Sequence, residues 1–61
     1  VMWRGRMTPE LEGLYDQYYG IFGGDPDEYI ELEYAQEGYE DYVRDIKRAI
    51  KEKKELPDVV M

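Results

Sequence analysis

The chain contains no cysteine, no histidine, no serine and no asparagine, and only one threonine, Thr8. These absences exclude thiolate and imidazole zinc sites, Cys or Ser nucleophiles served by a histidine base, and disulfide staples. Without thiols there is no signal of redox compartment, and a cytoplasmic location is the slightly favoured expectation. Long apolar runs are missing too. No stretch approaches the roughly 18 apolar residues of a membrane span, and Val1 to Met7 carries two arginines but no apolar signal core. The expected product is soluble, with no membrane association. Met7 precedes Thr8-Pro9 as a second start-like methionine, so residues 1–7 are read as an extension outside the fold.

Bases are scarce as well: 8 Lys and Arg against 15 Asp and Glu leave a net charge of −7 on 61 residues. One small domain spanning residues 1–61 is the only parse this length allows. The imbalance is local. Residues 8 to 45 hold twelve acids and one base, Arg44, whereas residues 46 to 54 hold five bases and one acid. A body of this sign repels phosphate, so direct nucleic-acid binding is not expected. What the chain has in abundance is tyrosine. Seven Tyr, one Trp and one Phe make up 15% of it, enough aromatic area to favour folding over acidic disorder. So small a chain buries only about 60% of its unfolded surface, so docking on a protein partner or forming a homodimer is expected to complete its core.

Thr8 followed by Pro9 and Glu10 supplies an N-cap, a proline at the first helical position and an acid at the positive dipole end. A helix over 9–22 follows, with Leu11, Leu14, Tyr15, Tyr18 and Phe22 on one stripe and Gly23-Gly24 as its stop. A second helix is predicted over 38–55. Tyr39, Tyr42, Val43, Ile46 and Ile50 share its inner face, acids occupy its first turns, lysines its last, and Leu56-Pro57 ends it. Val59-Val60-Met61 reads as an apolar tail folding back over the helix pair.

Between the helices, Tyr29-Ile30-Glu31-Leu32-Glu33-Tyr34 alternates apolar and acidic residues as a half-exposed strand does. Its only partners in the chain are the two end segments. The expected fold is therefore mainly α, helix-connector-helix, with connector 25–36 extended, partly β or forming a short helical turn. An α+β arrangement, with 29–34 paired in the chain or across a dimer, is the alternative.

Asp25, Asp27, Glu28, Glu31 and Glu33 superficially resemble a calcium loop. The resemblance breaks at Ile30, where a glycine is required, and at Gln36, where a bidentate glutamate is required. Paired carboxylates also serve glycosidases, but 61 residues barely build a core, let alone a substrate cleft. No catalysis, cofactor or metal is expected. Tyr29-Ile30-Glu31-Leu32 fits a Tyr-x-x-Leu recognition string, a pattern too short to carry weight. Lys47, Arg48, Lys51, Lys53 and Lys54 form a basic stripe that the dipole at a helix C-terminus accounts for locally.

The surplus of tyrosine over what a two-helix core needs points to an acidic, non-catalytic protein-interaction module. Tyr19, Tyr29 and Tyr34 are the candidate contact residues, together with Trp3. The alternative is an inhibitor of the anti-defence type that imitates nucleic acid and fills the basic groove of a nucleic-acid-binding enzyme, with Glu31, Glu33 and Glu37 standing in for phosphates.

Overall fold

The computed structural model describes residues 2–60. Helix α1 spans Pro9–Phe22. Thr8 caps it, its Oγ1 accepting the Leu11 N–H at 3.1 Å, and Pro9 occupies the first turn, where a missing N–H is not felt. At the other end Gly23 takes φ 77°, and its N–H closes on the Tyr19 carbonyl. Both boundaries fall where the sequence places them.

Helix α2 spans Tyr39–Glu52, entered through a 3-10 turn at Gln36–Gly38. It stops three residues short of the expected Glu55. Lys53 adopts φ 56°, the left-handed region, while its N–H bonds the Ile50 carbonyl and that of Lys54 bonds the Ala49 carbonyl. This is a Schellman closure with lysine where glycine is usual. The early stop lets the chain reverse into a short helix, α3 (Leu56–Val60), in which Pro57 opens a helix rather than terminating one. Leu56 is fully buried and Val59 packs against the core, while the expected role of Met61 lies outside the described residues.

A left-handed L-residue costs about 1–2 kcal/mol, and the greater freedom of glycine in the unfolded chain returns part of that. Lys53→Gly is therefore expected to stabilise the fold by about 0.5–1 kcal/mol and raise the melting temperature by a few degrees. A thermal melt that falls instead refutes the strain argument.

The connector is mostly turns. Pro26–Glu28 forms a 3-10 turn, Leu32 N–H bonds the Tyr29 carbonyl at 3.2 Å, and only Glu33–Tyr34 is extended as β2. It pairs in parallel with β1, Met2–Trp3, so that Met2 faces Glu33 and Trp3 faces Tyr34. Of the alternatives for 29–34, the turn describes its start and the strand only its last two residues. Its alternation fails because Tyr29 and Leu32, three apart, both turn inward, which a pleat with period two does not allow.

The architecture is mainly helical, and a ladder of two residues a side adds no sheet layer. Residues 2–6, part of the segment set apart as an extension, lie against the fold. The Trp3 ring stacks on Tyr42 at 4.9 Å, Arg4 N–H bonds the Tyr34 carbonyl, and Arg6 N–H bonds Gln36 Oε1. The core joins Leu11, Leu14, Tyr15 and Tyr18 of α1 to Tyr42, Val43, Ile46 and Ala49 of α2, closed by Leu32 and Leu56.

Candidate interaction surface

Tyrosine hydroxyls hold this core together. Tyr15 and Tyr42, from facing helices, share a buried hydrogen bond of 2.6 Å. Tyr34 packs its ring on Tyr42 at 4.7 Å and donates to Asp45 Oδ2 at 2.7 Å. Tyr39 donates to Glu10 Oε1 at 2.9 Å, which leaves its lone pair for the Thr8 hydroxyl at 2.7 Å.

A fourth arrangement has a direction fixed by its ends. The Leu56 N–H can only donate, and does so to Tyr18 Oη at 2.9 Å; the Glu55 carboxylate can only accept, and takes the Tyr29 hydroxyl proton at 3.0 Å. The Tyr18 hydroxyl must then donate to Tyr29 across 2.6 Å. Such a chain is mutually polarised, and it fastens α1, the connector and the start of α3 at one point. Burial is the main cause of a raised pKa for Tyr15, Tyr29, Tyr34 and Tyr42; it is reinforced by hydrogen bonds to Tyr18 and Glu55 at Tyr29, to Asp45 at Tyr34 and to Tyr15 at Tyr42.

The three candidate tyrosines therefore occupy different settings. Tyr29 and Tyr34 are half-buried with their hydroxyls engaged, whereas Tyr19 is 57% exposed on the outer side of α1. Trp3, half-buried, gives its face to Tyr42 and its indole N–H to the Arg6 carbonyl. Of the candidate acids, Glu33 pairs with Arg4 at 2.7 Å, while Glu31 and Glu37 are exposed and make no ion pair among the described residues.

The acids as a whole are more informative. Of the 15, only Glu10, Glu33, Asp41, Asp45 and Glu52 reach a base, through Lys47, Arg4, Arg44 and Arg48. The rest are left without a cation among the described residues. Glu12 and Asp16 stand on the outward face of α1; Asp25, Asp27, Glu28 and Glu31 line the connector; Glu37 and Glu40 flank the start of α2.

A cleft of about 450 Å³ opens between the starts of α1 and α2, lined by Glu10, Tyr39, Glu40, Val43, Arg44 and Lys47. Its two bases are paired, Lys47 with Glu10 at 3.6 Å and Arg44 with Asp41 and Asp45, while Glu40 makes no ion pair among the described residues. Among the described residues no three acids converge as a metal would require, and no helix is long and apolar enough to cross a membrane.

Sequence reasoning missed Ile30. The alternating pattern assigns it to the same face as Leu32 and Tyr34, yet it is 82% exposed while Leu32 is buried. The available signal was the spacing of Tyr29 and Leu32, which suits a turn with Ile30 and Glu31 at its tip. Comparison with family models, with curated proteins and with solved structures finds no match to this chain.

Proposed function

We propose that this chain is a small, non-catalytic acidic interaction module that docks on a basic surface of a protein partner. The observation that carries the reading is the set of carboxylates on α1, the connector and the start of α2 that no Lys or Arg neutralises among the described residues. Charges of one sign held on rigid backbone raise the local potential, steer a cationic partner and gain energy when it arrives. Tyr29 and Tyr34 spend their hydroxyls inside the fold, so charge rather than tyrosine supports the reading.

The test is affinity capture on the immobilised chain, set beside a fourfold variant carrying Glu12→Gln, Asp16→Asn, Asp27→Asn and Glu31→Gln. Retained proteins are expected to elute as NaCl rises from about 0.1 M to about 1 M, where the screening length contracts from about 10 Å to about 3 Å. The variant is expected to retain them poorly. Equal retention by both, or a complex indifferent to salt, defeats the reading. A partner that duplex DNA displaces competitively would make the basic surface a nucleic-acid groove, which is the mimicry alternative.

A further inference from the structure

The turn between Tyr29 and Leu32 is fastened on both sides. Tyr29 sets its ring edge-on to Tyr18, at 6.4 Å and 79°, and its hydroxyl sits in the Tyr18–Glu55 chain; Leu32 is buried in the core; the turn closes through Leu32 N–H to the Tyr29 carbonyl. With its neighbours fixed, Ile30 has no inward option. At 82% it exceeds every other exposed large apolar residue among the described residues: Met7, Tyr19, Ile21 and Val60 lie between 42% and 57%.

Single exposed apolar side chains are ordinary on protein surfaces, so exposure alone decides nothing. Two further features set Ile30 apart. The residue before it, Tyr29, is held by side-chain hydrogen bonds to Tyr18 of α1 and to Glu55, and a β-branched side chain has few rotamers to lose, so burying Ile30 against another surface forfeits little entropy. Its charged neighbours along the chain are also of one sign. Glu31 follows it and Asp27 and Glu28 precede it within three residues, all exposed and none in an ion pair among the described residues. An apolar side chain flanked along the chain by exposed carboxylates is the counterpart of an apolar pocket with a rim of lysine and arginine.

We infer that Ile30 is the anchor of the docking surface, and that the partner is a different protein presenting an apolar pocket rimmed by Lys or Arg. The inference rests on the acidic-module reading and names the chemistry that reading requires. A second copy of the chain fits less well. Its basic stretch over 47–54 offers cations, but two bodies each of net charge −7 repel as they approach.

A phage-displayed library of random peptides, selected at low salt on the immobilised full chain, is the probe. The enriched peptides are then synthesised and titrated against wild type, Ile30→Ser and the pair Glu28→Gln with Glu31→Gln. Enriched sequences are expected to combine Lys or Arg with Leu, Phe or Trp. Ile30→Ser should bind them about tenfold or more weakly, as removal of a central anchor does, with an unchanged circular-dichroism spectrum and melting temperature. The double Glu variant should bind less tightly and with a shallower salt dependence.

Basic peptides that bind Ile30→Ser as tightly as wild type overturn the anchor and leave the acidic reading intact. Peptides without basic residues that ignore salt overturn both. A failure to enrich any peptide also overturns the anchor, since a preorganised apolar point needs little from its ligand. Sedimentation velocity closes the remaining route: a dimer of the wild type that Ile30→Ser abolishes makes the occupant a second copy and overturns the assignment to a different protein.

Discussion

Tyr42→Ala is expected to leave the chain largely unfolded at room temperature. Tyr42 has no exposed surface and touches three rings, Trp3 at 4.9 Å, Tyr34 at 4.7 Å and Tyr15 edge-on at 6.3 Å. Removing a buried aromatic ring costs about 3–5 kcal/mol. The Tyr15 hydroxyl, whose bond to Tyr42 is 2.6 Å, would also lose its partner inside the core. That adds about 1–3 kcal/mol, and the sum approaches the whole stability of a domain this small, at roughly 0.05–0.15 kcal/mol per residue. Tyr42→Phe separates the two contributions. It keeps the rings in contact and orphans only the hydroxyl, so it should lower the melting temperature by several degrees yet remain folded. Urea titration followed by circular dichroism measures both. A Tyr42→Ala protein that melts within a few degrees of wild type would mean that the ring cluster does not organise the core.

The consequence for the proposed surface is direct. Trp3 and Tyr34 reach the core through Tyr42, and they carry the two strands of the ladder. Without that seat the connector loses one of its attachments, and the carboxylates of residues 25–31 lose part of what fixes their spacing. Stability and presentation of the acidic face are then coupled, so variants meant to test binding belong on the outward side of the connector and not among its tyrosines.

This division also separates what is legible in the sequence from what is not. Helix α1 is legible because its signals are local: Thr8-Pro9 at one end, Gly23 at the other and a stripe at helical spacing between them. The body of α2 is legible for the same reason. Its end is not, because Lys53 is no stop signal; the left-handed turn is imposed by the need to bring Leu56 back over Tyr18.

Pairing of Met2–Trp3 with Glu33–Tyr34 is invisible to a local reading. Two residues set no period, and the partners are about thirty positions apart. Tyr29 and Tyr34 look like spare surface aromatics until Glu55 and Asp45 are brought to their hydroxyls by the fold. Ile30 is the converse, an apolar residue that alternation sends inward and a turn sends out. Tyr29, Ile30 and Tyr34 lie in the connector and Trp3 in the paired N-terminal segment, where long-range contacts rather than local propensity choose the conformation.

Raising the pH above 10 is expected to unfold the protein cooperatively, and the cause lies in the same tyrosines. Tyr15, Tyr29, Tyr34 and Tyr42 have folded-state pKa values raised above the ordinary 10.0, chiefly by burial. In the unfolded chain they ionise near pH 10, so above that point the unfolded state binds fewer protons than the folded one. The stability these hydroxyls contribute is fully present below pH 10 and is lost as the pH rises beyond it. Each tyrosine that stays protonated in the fold lowers stability by up to about 1.4 kcal/mol per pH unit, and the half-exposed Tyr29 and Tyr34 contribute less than the buried pair because solvent screens them. A few such groups exhaust a small domain within about one to two pH units.

The measurement is a stepwise alkaline titration that follows far-ultraviolet circular dichroism and tyrosinate absorbance on the same sample. The two signals should move together over a narrow range, because the buried phenols ionise only as the fold opens. Added salt should shift the transition little, since desolvation rather than long-range repulsion drives it. If most tyrosinate forms gradually while the helical signal persists, the hydroxyls are open to solvent and the network that fixes the connector is not what holds it.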